Sequence, residues 1–100
     1  MNTGIVSIKV DTKGAGRVWV ESLESKGIQA GGFFKVTMAP EVITVDYVQA
    51  SEKPRGYRTN GSKGGILDVQ SKALATWAQG ATSARWAVIN ANQLTITREG

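Results

Sequence analysis

The sequence predicts a small, mainly β domain (α+β by count), built like a β-barrel from two hairpin units, each with a short helix. Three observations lead there. Apolar and polar residues alternate over several short runs, the mark of strands with one buried face. Turn-forming clusters of Gly, Pro, Asn and Asp separate the runs, with 12 Gly and 2 Pro in 100 residues. Only two stretches carry helical spacing, and both are short.

Taken in order, Val6, Ile8 and Val10 alternate with Ser7 and Lys9, which predicts a strand. "DTKGAG" then turns the chain, with Gly14 and Gly16 suited to positive φ. In "RVWVE", Val18 and Val20 face one way and Arg17, Trp19 and Glu21 the other. "SLESKG" reads as a helix of one to two turns, with Ser22 as its cap, Glu24 at its positive end and Gly27 just past its last turn.

"FFKVTM" and "VITVDYV" form a hairpin around Ala39-Pro40-Glu41. Phe34, Val36 and Met38 share a face, as do Ile43, Val45 and Tyr47. After a polar, basic segment, "ILDV" reads as a short strand. Val69, Ala73, Leu74, Trp77, Ala78 and Ala81 then fall at helical spacings, which predicts a helix over 70–79 ending near Gly80. "ARWAVI" and "QLTITR" make a second hairpin, turning at Asn90-Ala91-Asn92. Trp77 and Trp86 lie in apolar patterns and are expected in the core.

One hundred residues suit one domain, 1–100. Within it the halves echo each other. Lys13-Gly14 and Lys63-Gly64 are 50 apart, as are Lys35-Val36 and Arg85-Trp86. Ile43-Thr44-Val45 and Leu94-Thr95-Ile96 are 51 apart. The expectation is an internal duplication, with repeat halves 1–50 and 63–100 joined by a basic segment, 51–65. Neither half alone is large enough for a sufficient core, so the two should share one.

Composition narrows the chemistry. The 41% hydrophobic and 20% charged fractions are those of a folded globular chain. No apolar run approaches a membrane span, and the start lacks a signal-peptide pattern; a cytoplasmic location without membrane partners is expected. Asn60-Gly61-Ser62 then reads as a turn, not a glycosylation site. The chain has no Cys and no His, which removes thiol nucleophiles, disulfides, imidazole acid–base chemistry and the usual metal ligands. Its eight acids form no spaced catalytic pair. No catalytic residue, metal or cofactor is therefore expected. "GYRTNGSKG" fails as a phosphate loop because its Lys stands one place too late and no buried strand precedes it directly. "GAGRVW" lacks the third glycine of a dinucleotide fingerprint.

The net charge of +4 is unevenly placed. Residues 1–50 carry five cations and five acids, whereas 51–65 carry Lys53, Arg55, Arg58 and Lys63 against Glu52 alone. Clustered charge attracts a polyanion better than dispersed charge. Lys and Arg neutralise phosphates, and Arg55 and Arg58 flank Gly56-Tyr57, so Tyr57 could stack on a base. A solvated linker between two subdomains is the plainer reading of the same segment. Trp19 beside Arg17 suits a nucleic-acid or protein contact if exposed, and a closed barrel would bury it instead.

"KGAGRVWVESLESKGIQAGGFFKVTMAPEVITV" resembles the AbrB-like swapped-hairpin DNA-binding proteins, and among them the SymE-like toxin branch. The matching features are Lys13, Gly14, Gly16 and Arg17, then Leu23-x-x-x-Gly27-Ile28-x-x-Gly31, Phe34-x-Val36 and Ile43-x-Val45. The resemblance covers roughly residues 5–48. It implies a barrel of two interleaved hairpin units and DNA contacts through Lys9, Lys13 and Arg17. The chain departs from it in its shorter helix, in Glu21 where the family has proline, and in its length, about two units in one chain.

These readings converge on a non-enzymatic nucleic-acid-binding protein, a regulator of AbrB-like type. Lys53, Arg55, Arg58 and Lys63, on a basic Gly-rich central loop, would meet phosphates, Lys13 and Arg17 beside them, with Tyr57 or Trp19 stacking. DNA ranks ahead of RNA as partner, and a homodimer remains open. The alternative is a protein-interaction module, such as an inhibitor or a phage or plasmid accessory or assembly factor, gripping an acidic partner. A nuclease-like toxin is the third reading.

Overall fold

The computed structural model describes residues 2–29, 33–48, 57–59 and 65–99, with 57–59 as backbone alone. The expected mainly β architecture holds, among the described residues as two antiparallel sheets with one α-helix. Over those residues the sheets are open, so the barrel-like closure is corrected: the larger one ends in two edge strands.

The first run is split. β1, Thr3–Ser7, pairs with a strand of the larger sheet, and β2, Lys9–Val10, pairs with β3, Gly16–Val20, in the smaller one. Ile8 lies at the bend, buried, its N–H donating to the Thr82 carbonyl at 2.9 Å. Because the chain changes sheets there, Val10 does not share a buried face with Val6 and Ile8; it is 59% exposed. In the turn that follows, the Asp11 carboxylate accepts from the N–H groups of Lys13 (2.8 Å) and Ala15 (3.0 Å), and Gly14 has φ 85°. Those bonds lower the Asp11 pKa. Gly16 does not supply a positive φ. It is glycine because a helix backbone lies against it: a Cβ there would stand 2.8 Å from the Ala75 nitrogen.

The first predicted helix is a single 3-10 turn, Glu24–Lys26. Ser22 does not cap it. Ser22 has φ 56°, and the residue before the turn is Leu23, with no side-chain cap. Leu23 and Ile28 are both buried, and the Ile28 N–H donates to the Leu23 carbonyl. Burying the pair stabilises by about 3–6 kcal/mol, which outweighs roughly 1–2 kcal/mol for a left-handed Ser22. The short span between two core anchors leaves room for one turn, and Gly27, φ 93°, ends it.

The first hairpin is as expected: β4, Phe33–Met38, and β5, Val42–Val48. The basic segment departs from expectation at β6, Tyr57–Thr59, which is a strand paired with β4 and not a loop. An edge strand needs backbone hydrogen bonds and no aliphatic side chain, so hydrophobic alternation gave no signal. β7, Leu67–Ser71, pairs with β3 and runs directly into α1, Lys72–Ala78. Ser71 is the cap, its hydroxyl accepting from the Leu74 N–H at 3.1 Å, which starts the helix later than predicted. Leu74, Trp77 and Ala78 are its buried face, and Trp77 Nε1 donates to the Ala39 carbonyl at 3.1 Å. β8, Ser83–Asn90, and β9, Gln93–Arg98, form the second hairpin, with a bulge between Val88 and Asn90. Trp86 is buried over Gly4, whose missing side chain makes room for the indole.

The larger sheet has the order β1-β8-β9-β5-β4-β6, the smaller β2-β3-β7. Both hairpins, β3, β7 and α1 contribute to one core, including Val18, Leu23, Ile43, Leu74 and Ile96. The pairing has an approximate twofold pattern. Val36 opposite Val45 in the first hairpin corresponds to Trp86 opposite Ile96 in the second. Lys35 opposite Tyr57 corresponds to Arg85 opposite Ile5, so β6 takes the place of β1. The self-related pairs are Thr44 opposite Thr95 and Val18 opposite Val69, where each residue faces its own counterpart. Buried Leu23 and Leu74 keep the same spacing, as do Gly14 and Gly65, both at positive φ.

Candidate nucleic-acid interface

The outer face of the smaller sheet gathers the polar side chains of β2, β3 and β7. Directly opposed residues of an antiparallel pair project to the same side. Lys9, Arg17 and Gln70 therefore form one row, and Trp19 and Asp68 the next. Val18 and Val20, which alternate with Arg17 and Trp19 in sequence, point inward and are buried. Thus the alternation of "RVWVE" sends Arg17 and Trp19 outward on a strand whose other face is fixed in the core.

A connected set of contacts holds this face. Arg17 donates from Nε to Asp68 Oδ1 at 2.9 Å and from Nη2 to Oδ2 at 3.0 Å. The hydrogen-bonded carboxylate raises the Arg17 pKa above its ordinary value, so the guanidinium stays charged. Arg17 also lies over the Trp19 ring, 4.7 Å from its centroid. Trp19 Nε1 donates to Glu21 Oε1 at 2.7 Å. The indole is thus anchored at its N–H and covered on a face by a guanidinium, while 38% of the residue remains exposed. Beside it opens a groove of about 440 Å³ lined by Val6, Ser7, Lys9, Arg17 and Trp19.

Of the residues expected to form a site, the structure brings Lys9, Arg17 and Trp19 together. Lys13 sits in the β2–β3 turn, exposed. Lys9 and Lys13 form no ion pair among the described residues, whereas Arg17 is engaged by Asp68. Tyr57 and Arg58 lie on β6 and are described in backbone alone; β6 packs beside β7 as well as β4. Lys53, Arg55 and Lys63 lie outside the described residues. Trp77 and Trp86 are in the core, as expected.

Sequence reasoning missed Asp68 and Glu21 as the groups that orient Arg17 and Trp19. Asp68 follows Arg17 at the spacing by which the two halves echo each other, and that spacing was the available signal. Among the described residues no three His, Cys, Asp or Glu side chains cluster as a metal site, and no helix is long and apolar enough to cross a membrane. No protein-family model matches the chain, nor does any curated protein or solved structure.

Proposed function

We propose that this chain is a small, non-enzymatic nucleic-acid-binding protein, a DNA-binding regulator of AbrB-like type. Lys53, Arg55, Arg58 and Lys63 meet phosphates, and Lys9, Lys13, Arg17 and Trp19 form a second contact region on the smaller sheet. The observation that carries the reading is the groove in which an exposed, anchored Trp19 lies beside Lys9 and Arg17. Cations next to an exposed aromatic ring are the side-chain set that nucleic acids require: charge for phosphate, a flat face for a base. The concentration of four cations and one acid within 51–65 supports it from the sequence. Within that segment, Tyr57–Thr59 pairs with β4.

The test is the double variant Arg55→Ala with Arg58→Ala. It is expected to lose most DNA binding in fluorescence anisotropy and to keep the wild-type melting temperature. Unchanged binding to both DNA and RNA would refute the assignment of the central segment. A protein-interaction module is the second reading, favoured by exposed Ile5 (53%) on β1 and Val10 (59%) on β2. It predicts no retention on heparin or random DNA at any salt.

A further inference from the structure

We infer that the groove beside Trp19 is a stacking site for an unpaired nucleobase, and that each chain carries one such site although its scaffold is approximately twofold. The inference rests on the nucleic-acid reading above and specifies its ligand.

The electrostatics of the groove decide against a duplex rail. Arg17 is matched by Asp68, and Glu21 holds the indole N–H, so positive and negative groups alternate along this face. Lys9 is the lining cation without an ion pair among the described residues. A regular double track of phosphates would meet Asp68 and Glu21 as well as Lys9. A base is the neutral, flat part of a nucleotide, and it suits an indole face and apolar Val6. Within a duplex both faces of a base are covered by its neighbours. Only an unpaired base can reach the ring, with Lys9 positioned for its phosphate. The linked contacts Asp68–Arg17–Trp19–Glu21 also fix the platform before any ligand arrives, which reduces the ordering cost of binding.

The twofold pattern explains why the site is single. The counterpart of Arg17 in the second half is Asp68, and the counterpart of Trp19 is Gln70. The related half thus carries an acid and an amide where this half carries a guanidinium and an indole. The comparison also supplies a suitable variant. Trp19→Gln introduces at an exposed position the residue type the fold already holds at the related one.

The experiment uses the intact chain with labelled 10-nucleotide oligodeoxythymidylate, oligouridylate and a mixed-sequence DNA duplex, read by anisotropy at low salt, with melting curves as a folding control. The expected result is one single strand bound per chain, with Trp19→Gln weakening it about 5- to 100-fold and weakening duplex binding far less. Tight binding of either single strand that Trp19→Gln does not weaken would overturn the stacking site, as would an equal loss on the duplex; in both cases the nucleic-acid reading survives. Failure of all three probes to bind would overturn that reading and the site together.

Discussion

Gly16→Ala tests the packing that holds β3, and with it Arg17 and Trp19, in place. Gly16 begins β3 in an extended conformation that alanine can adopt, so φ imposes no penalty. The obstacle is contact. The new Cβ would lie 2.8 Å from the Ala75 nitrogen, 3.0 Å from its Cα and 3.2 Å from the Leu74 carbonyl carbon. All three are backbone atoms of α1, so no side-chain rotation relieves them. Either the helix or the strand must retreat by several tenths of an ångström, against a core that includes Val18 and Leu74, both fully buried. Overpacking of this kind costs about 1–3 kcal/mol. Reduced entropy of the unfolded chain returns about 0.4–1 kcal/mol. Taking the middle of each range, the expected net loss is about 1.3 kcal/mol, a fall in Tm of roughly 5–10 °C for a domain this size. Urea unfolding should show a lower midpoint with an unchanged slope. A Gly16→Ala protein as stable as the parent would refute the claim that α1 rests on β3 at this point.

Ser71→Ala removes the hydroxyl that accepts from the Leu74 N–H. Thermal unfolding should show a loss of about 1 kcal/mol, and no loss would mean that the helix starts elsewhere. Asp11 gives a pH dependence. Its pKa is lowered in the folded chain by the Ala15 and Lys13 N–H groups, so the unfolded chain binds the proton more readily. Stability from this turn is therefore present above the ordinary aspartate value of 3.8 and lost as pH falls through the lower folded value. Asp11→Asn should flatten that acid limb of a Tm-against-pH curve, and an unaltered limb would contradict the assignment.

The fold was legible where periodicity is local. "RVWVE", "FFKVTM", "VITVDYV" and "QLTITR" alternate because each has one face in the core, and each is a strand. The bend at Ile8 left no such trace, since one continuous alternation serves two sheets in turn. Ser22 misled because its cap chemistry is local, whereas the turn after it is set by Leu23 and Ile28 anchoring in the core. β6 was hidden because backbone pairing at an edge requires no pattern in the side chains. At the site, the outward direction of Arg17 and Trp19 followed from Val18 and Val20. Whether Trp19 stays exposed depended on what covers the sheet, which alternation does not record. The Arg17–Asp68 pair joins strands far apart in the chain. Only the repeated spacing between the two halves hinted that β3 and β7 would lie side by side.

The most direct test of the proposed function is the salt dependence of nucleic-acid affinity. Labelled single- and double-stranded DNA and RNA would be titrated with the protein at 50 and 200 mM salt. With around six phosphate contacts, affinity should fall by about three decades between these concentrations. Affinity independent of salt, or no binding to any of the four at 50 mM, would contradict the account.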